Sequence, residues 1–272
     1  MLIRAGYNIA FQCPAQTSML LHLSVHPTRV GDLRSPDVVA SDPNLAMGAY
    51  LDMFGNRVTR VDVPPGLVTF SNSFTIYDSG LPDETPVDSP LSPVARLPND
   101  VLVFLVPSRY CDSDNLSNFA WSMFGSIPGG YGRVQAICNF VHSKIRFNYL
   151  NASPTRGASD ALREGVGVCR DFAHLAVALC RAMNVPARYC TGYLGDIGVP
   201  VDPAPMDFSA WFEVFLGGRW YTFDARHKVP RIGRILMARG RDATDVAIVT
   251  SFGPCTLAGF KVITDEILTQ AA

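Results

Sequence analysis

Short apolar runs separated by turn residues dominate the first third of the chain. Clusters of Pro, Gly, Asp and Asn interrupt these runs, as in Pro64-Pro65-Gly66, which is typical of turns between short strands. This alternation predicts an all-β domain over residues 1–95, with the architecture of a β-sandwich. The predicted strands are Asn8–Phe11, Ser18–Val25, Val58–Val63, Leu67–Ser71 and Phe74–Tyr77.

The rest of the chain mixes helical and extended patterns. A segment rich in proline and acidic residues, Gly80 to Pro98, is predicted to connect the first domain to a second one over residues 96–272. Within the second domain, apolar residues recur with helical period over Tyr131–Ile145 and from Cys169 to Met183. Ala187–Tyr193 is a predicted strand, so the protein is expected to be of the α+β class.

A tight hairpin is predicted towards the end of the chain, because Gly217-Gly218 joins two aromatic-rich runs, 208–216 and 219–224. Counting outward from this turn places Trp211 opposite Asp224. Side chains two residues apart on a strand lie on the same face. One face of the predicted hairpin therefore carries Ser209, Trp211, Asp224 and Arg226.

Composition and charge narrow the class of protein. The 272-residue chain is 48% hydrophobic and 17% charged, with a net charge of −1 and no basic run, which argues against nucleic-acid binding. No apolar run reaches the length of a membrane span, and the N-terminus lacks the pattern of a secretory signal. Nothing in the sequence indicates the oligomeric state.

The seven cysteines show no metal-ligand spacing, which favours reduced thiols in a cytoplasmic protein without a metal site. Five of them are predicted to be buried thiols: Cys111, Cys138, Cys180, Cys190 and Cys255.

Cys169 is the strongest candidate for chemistry. Gly165 and Gly167 precede it, and an amphipathic helix begins at the cysteine itself. Unpaired N–H groups and the helix dipole favour a negative charge at this end, so we expect a thiol that loses its proton easily. The alternative is a buried core cysteine, which is commoner in general. Asp171, in the first turn, is expected to complement the helix dipole rather than to take part in catalysis.

Several ordered motifs resemble the bacterial transglutaminase-like family, whose fold is of the papain-like cysteine-protease type. The segments that carry the resemblance are Gly167–Leu175, Val185–Tyr189, Trp211 with Glu213, Trp220–Ala225, Pro107–Tyr110, and Asp52 with Phe54–Asn56. The resemblance implies a Cys-His-Asp triad in which Cys169 is the nucleophile and Asp224 orients the histidine. The family's histidine position falls on Ser209. No metal or organic cofactor is implied.

The missing histidine leaves three interpretations open, because a serine hydroxyl is too weakly basic to take a thiol proton. In the first, the chain is a catalytically impaired relative that serves as a binding or scaffold module. In the second, another residue transfers the proton. In a continued strand His227 would face away from Asp224, so it qualifies only if the strand ends at Asp224 and the chain curls. His174 is expected to be a structural histidine. In the third, Arg226 holds the thiolate by its charge.

The leading functional prediction is a cysteine protease or amidase that acts on peptide or isopeptide amides through a thioester on Cys169. A peptide or protein substrate is the predicted partner. Trp211 and Tyr110 are candidates for lining the acyl site, although both residue types are commoner in cores. The basic residues near the hairpin are predicted to form a solvated face, or alternatively to meet an anionic substrate or partner. They are Arg226, His227, Lys228, Arg231, Arg234, Arg239 and Arg241.

Overall fold

Over residues 1–268, which a computed structural model describes, the protein has four α-helices, four short 3₁₀ helices, three four-stranded sheets and one two-stranded sheet. The helices are α1 (Ser117–Phe124), α2 (Tyr131–Lys144), α3 (Ala158–Glu164) and α4 (Cys169–Ala182). The strands are β1 (Leu2–Cys13), β2 (Thr17–Leu21), β3 (Ala40–Asp42), β4 (Met47–Leu51), β5 (Arg57–Val63), β6 (Gly66–Tyr77), β7 (Arg146–Phe147), β8 (Val166–Gly167), β9 (Ala187–Tyr193), β10 (Ser209–Leu216), β11 (Arg219–Phe223), β12 (Ile235–Gly240), β13 (Val249–Ser251) and β14 (Thr256–Glu266).

Two antiparallel sheets, ordered β14-β1-β6-β3 and β13-β2-β5-β4, form the β-sandwich. They bury a common apolar cluster, to which β1 contributes Ile3, β2 contributes Met19 and β6 contributes Phe70. The predicted α+β class with a sandwich-like first part is confirmed. The sandwich is not built from residues 1–95 alone, however, because β13 and β14 come from residues 249–266 and pair with β2 and β1.

Two of the predicted strands, Leu67–Ser71 and Phe74–Tyr77, form the single strand β6. β6 continues through Asn72 and Ser73 because these residues stay paired with Tyr7 and Gly6 of β1. Gly6 permits this close approach, since a Cβ atom at that position would lie 2.3 Å from the carbonyl oxygen of Asn72. The backbone pairing thus overrides the polar residues that divide the two apolar runs.

Helix α4 is the centre of the second domain. It packs on β9 and β10 of the sheet ordered β11-β10-β9-β12 and contacts each of the other three helices. Its predicted apolar stripe is buried, as shown by Phe172, Leu175 and Leu179, whose exposed fractions are 3%, 0% and 0%. The helix ends before Asn184, whose φ of 59° is the left-handed conformation expected after a helix.

The hairpin β10–β11 has the predicted register. Leu216 pairs with Arg219 and Phe212 pairs with Phe223. Gly217 and Gly218 have φ values of 56° and 93°, and positive φ at both central residues is what a type I′ hairpin turn requires.

The connecting segment, residues 80–98, lies against the second domain rather than in open solvent. The Pro90 carbonyl accepts a hydrogen bond from the Gly217 N–H at the hairpin turn (3.0 Å), and the Ser89 carbonyl accepts one from the Tyr131 N–H at the start of α2 (3.1 Å). The segment is therefore fixed to the hairpin turn and to the start of α2 by backbone hydrogen bonds.

A buried asparagine joins the sandwich to the second domain. Asn56 is fully buried. Its Oδ1 accepts a hydrogen bond from the Arg239 N–H (2.9 Å), and its Nδ2 donates to the Arg239 carbonyl (2.9 Å) and to Asp52 Oδ2 (2.8 Å). The side-chain amide thus pairs with the backbone of β12 as another strand would.

The cysteines depart from the prediction at one position. Cys255 is joined to Cys13 in a disulfide, with their Cα atoms 4.5 Å apart, so the expectation of a buried thiol at Cys255 is wrong. A separation of 242 residues conceals this pair in the sequence. The other four predicted thiols, Cys111, Cys138, Cys180 and Cys190, are free and buried.

Within residues 1–268, no helix is long and apolar enough to cross a membrane. In the same part of the chain, no cluster of His, Cys, Asp and Glu is arranged to hold a metal ion.

Replacing Asn56 by alanine should lower the free energy of unfolding by about 2–4 kcal/mol, because it leaves the Arg239 N–H and carbonyl buried without partners. Urea denaturation measures the change. Asn99→Ala, at an exposed position, is the matched control and should change stability by less than about 0.5 kcal/mol. Equal effects of the two substitutions would show that the Asn56 amide does not join the domains.

Candidate active site

The backbone that leads into α4 is fixed by a buried carboxylate. Asp171 has an exposed fraction of 1%, and its Oδ2 accepts hydrogen bonds from the Val168 N–H (2.9 Å) and from Arg156 Nη1 (3.2 Å). Gly167 makes room for this carboxylate, since a Cβ atom there would lie 2.6 Å from Asp171 Oδ2. The prediction that Asp171 complements the helix start is confirmed, and the need for glycine before Cys169 follows from it.

Cys169 is the first residue of α4 and is partly exposed, unlike the four other free cysteines among residues 1–268. The backbone N–H groups of Arg170 and Ala210 lie near its sulfur and act to lower the pKa of the thiol. The thiol therefore lies between the start of α4 and the start of β10, where Ala210 follows Ser209.

The surroundings of the Cys169 sulfur disfavour its ionised form. Burial raises the pKa of Cys169 to about 11, an effect that the Arg226 guanidinium opposes and the Asp207 carboxylate reinforces. The expectation of an easily ionised thiol at the helix start is wrong, because desolvation outweighs the N–H donors and the positive charge. Chemistry at this sulfur requires a base to remove its proton.

The chain curls directly after β11. Asp224 Oδ1 accepts hydrogen bonds from the backbone N–H groups of Arg226 and His227, both at 2.9 Å, and the Lys228 N–H donates to the Asp224 carbonyl at 3.0 Å. A side chain that binds the following N–H groups offers the backbone an alternative to the sheet ladder. The strand therefore ends at Phe223, which meets the condition under which His227 was expected to reach Asp224.

The curl places His227 against Asp224. Nδ1 of His227 lies 2.8 Å from Asp224 Oδ2, and the same oxygen accepts a hydrogen bond from Arg234 Nη2 at 2.9 Å. Burial alone would raise the pKa of Asp224, but the Arg234 charge and the His227 hydrogen bond hold it well below its usual range. Asp224 is thus an ionised carboxylate that fixes the imidazole through Nδ1.

Ser209 and His227 line one pocket. Its walls also include Asp207, Arg226 and Tyr149. Ser209 has an exposed fraction of 6%, and its hydroxyl has no hydrogen-bond partner among the described residues. The structure therefore brings together the residue at the family's histidine position and the histidine that follows Asp224.

Arg226 leaves the predicted hairpin face. Its guanidinium carbon lies 3.8 Å from the centre of the Phe147 ring, and only its backbone N–H contacts the Asp224 carboxylate. Its charge nevertheless acts on Cys169, as the lowering effect on the thiol pKa shows. The interpretation in which Arg226 holds the thiolate by its charge stays a prediction.

His174 is a structural residue, as expected. Its Nε2 accepts a hydrogen bond from the Ala243 N–H (3.1 Å), and burial lowers its pKa to about 3. Tyr110 stacks on its ring, with 5.1 Å between ring centres, and donates its hydroxyl hydrogen to the Pro154 carbonyl (2.7 Å). Trp211 has an exposed fraction of 2% and packs under Arg234. Both aromatic residues therefore support the surroundings of the site, and an acyl-binding role stays a prediction.

Two arginines of the predicted solvated face are buried. Arg231 and Arg234 have exposed fractions of 5% and 8%, and Arg234 is paired with both Asp83 and Asp224, so the solvated-face interpretation is wrong for them. Sequence reasoning did not single out Asp83, Asp207 or Tyr149. Asp207 carried a signal nonetheless, because it precedes the start of β10 by two residues and so lies close to Ser209.

The family model of the transglutaminase-like superfamily matches residues 118–225 of this chain. An uncharacterized protein of Mycobacterium leprae is 33% identical over 120 residues, which is 42% of either chain. An uncharacterized protein of Mycobacterium tuberculosis is 35% identical over 116 residues, or 37% of this chain and 35% of that protein. Each match thus spans less than half of the relative.

A solved structure from Cytophaga hutchinsonii, described as a "putative cysteine protease", matches over the whole length. It covers 100% of this chain and 92% of its own, with 30% identity and a TM-score of 0.86.

Two substitutions should move the pKa of Cys169 in opposite directions. Arg226→Gln removes the charge that lowers it and should raise the pKa, whereas Asp207→Asn should lower it, by about one unit in each case. Because only the thiolate reacts, the rate of Cys169 alkylation by iodoacetamide at pH 8 should fall in the first variant and rise in the second. Peptide mass spectrometry follows the reaction.

Asp202→Asn, which changes an acid on the same loop, is the control and should leave the alkylation rate of Cys169 unchanged. A shift of the same sign in the Arg226 and Asp207 variants would contradict the electrostatic assignment.

Proposed function

We propose that this chain, which belongs to the transglutaminase-like superfamily, cleaves or transfers amide bonds of peptides or proteins through a thioester on Cys169. His227 carries the proton in place of the histidine that the family resemblance assigns to position 209. The Cytophaga hutchinsonii structure, described as a "putative cysteine protease", supports this class of reaction.

One observation carries the proposal. His227 Nδ1 is hydrogen-bonded to Asp224 Oδ2 at 2.8 Å, and the ring lines a pocket with Ser209, whose neighbour Ala210 belongs to the apolar cluster on which Cys169 packs. An acid that holds Nδ1 leaves Nε2 free to accept and return a proton. The proposed nucleophile is thus at the start of α4, and the proposed base and its orienting acid both lie in the turn after β11.

The proposed reaction begins with a neutral thiol. His227 Nε2 accepts the Cys169 proton as the sulfur attacks the carbonyl carbon of an amide, so an S–C bond forms and negative charge develops on the oxygen. The backbone N–H groups of Arg170 and Ala210, which lie near the sulfur, are the proposed donors for that charge. The C–N bond then breaks, His227 returns the proton to the leaving amine, and water or a second amine cleaves the thioester.

The alternative function is a binding or scaffold module on the same fold. Ser209 at the family's histidine position and the raised pKa of Cys169 favour it. The two functions differ in whether His227 governs the reactivity of Cys169, and the following experiments separate them.

His227→Ala should lower amide turnover by about 10²–10⁴-fold, which is the usual contribution of a general base. A fluorogenic peptide-amide library provides the assay, and Cys169→Ala sets the background. Lys228→Asn is the control, because it changes the exposed neighbouring residue and retains a side chain that tolerates its φ of 62°. Absence of turnover in the unmodified chain, together with alkylation that His227→Ala leaves unchanged, would favour the scaffold function.

Ser209→His should restore turnover when it is combined with His227→Ala, because both positions line one pocket and Ser209 is the family's histidine position. We expect a recovery of at least about tenfold over His227→Ala alone, a small part of a general-base contribution. Ser209→Asn, similar in polarity but not basic, is the control. If neither double variant recovers, position 209 does not present its side chain to the reacting sulfur.

A further inference from the structure

One carboxylate of the connecting segment, that of Asp83, contacts the arginine that pairs with Asp224. Asp83 Oδ2 accepts a hydrogen bond from Arg234 Nε (2.8 Å) and another from the Arg231 N–H (2.9 Å). The Asp83 N–H in turn donates to the Arg231 carbonyl (2.9 Å). Asp83 is therefore held by backbone hydrogen bonds against the loop that precedes β12, and its side chain has one fixed direction.

Arg234 bridges two carboxylates. Its Nε contacts Asp83, its Nη2 contacts Asp224 Oδ2 at 2.9 Å, and its guanidinium carbon lies 5.1 Å from the centre of the Trp211 ring. The exposed fractions of the Arg234 and Asp83 side chains are 7% and 16%, so solvent screens their charges weakly. The guanidinium is thus held by two carboxylates and an aromatic ring, and Asp83 is one of the groups that fix its position.

We propose that Asp83 is a positioning residue for His227 and acts through Arg234 and Asp224. This inference rests on the proposed function, which gives His227 its catalytic role. Asp224 Oδ2 is shared between Arg234 and His227, so a guanidinium drawn towards Asp83 leaves more of the Asp224 charge to the imidazole. The segment between the domains is thus part of the site.

Other charged groups surround His227 and set the background for this effect. The pocket also contains Asp196, Asp202, Asp207, Arg226 and Arg231, and Lys228 is the next residue along the chain. Arg234 differs from these groups because it contacts Asp224 Oδ2, the same carboxylate oxygen as the imidazole. Asp83 in turn contacts Arg234.

The pKa of His227, measured by NMR titration of the full chain, tests the inference without depending on turnover. Arg234→Gln should raise it by about one unit, because the Asp224 charge is then uncompensated. Asp83→Asn should lower it by about half a unit, because Arg234 is released towards Asp224. Direct loss of each charge would move the His227 pKa in the same directions, so a double-mutant cycle distinguishes a direct effect of Asp83 from one transmitted by Arg234.

Glu84→Gln is the matched control. Glu84 adjoins Asp83 but pairs with Arg219 at the surface, where both side chains are 59% exposed, so the His227 pKa should not change. Arg234→Lys keeps the charge and covers the case in which Arg234→Gln does not fold. It should raise the His227 pKa by less than Arg234→Gln, because an ammonium cannot serve both carboxylates with the same geometry.

A double-mutant cycle decides whether Asp83 acts through Arg234. In the Arg234→Gln or Arg234→Lys background, Asp83→Asn should shift the His227 pKa by less than half of its effect in the native background. An equal shift in both backgrounds, or no shift from Asp83→Asn in the native background, would overturn the inference.

The inference and the proposed function fail in different ways. One outcome is that His227→Ala leaves alkylation of Cys169 and amide turnover unchanged, while Asp83→Asn still shifts the His227 pKa. The link from Asp83 through Arg234 and Asp224 to His227 then exists, and the proposed function is wrong. If His227→Ala abolishes turnover but Asp83→Asn leaves the His227 pKa unchanged, the function stands and the positioning role is wrong.

Discussion

Water is largely excluded around Asp224, and a buried charge is tolerated only where every oxygen has partners. Oδ1 accepts hydrogen bonds from the backbone N–H groups of Arg226 and His227. Oδ2 is hydrogen-bonded to both the His227 ring and the Arg234 guanidinium. Satisfying this carboxylate ends β11, turns the chain and orients the imidazole at the same time. The candidate site depends on it more than on any other single group.

The hydrophobic core fixes the site from the other side. Phe208 belongs to the apolar cluster of the sandwich, where it packs with Tyr7 and Tyr193 at ring-centre distances of 6.2 and 5.1 Å. The next residue, Ser209, lines the candidate pocket, and Ala210 contacts the thiol. The residues at the start of β10 therefore divide between the sandwich core and the site. Packing between the domains and geometry at Cys169 are coupled as a result.

Periodic signals predicted the parts of this arrangement that local sequence determines. Helix α4, the place of Cys169 at its start and the register of the β10–β11 hairpin follow from apolar spacing and from Gly217-Gly218. The position of His227 does not, because it depends on whether the Asp224 side chain or the sheet ladder captures the next N–H groups. The partner of Arg234 was equally hidden, since Asp83 lies 151 residues away in a segment without periodicity.

The pairing of β1 with β14 has a consequence for synthesis of the protein. β1 lies between β14 and β6, and β6 ends at Tyr77 whereas β14 begins at Thr256. On a ribosome that adds roughly 5–20 residues per second, one edge of β1 stays open for on the order of ten seconds or longer while the second domain is made. An unpaired edge is a template for the wrong partner. The nascent sandwich is thus most exposed to aggregation during the interval in which the helix of Cys169 folds.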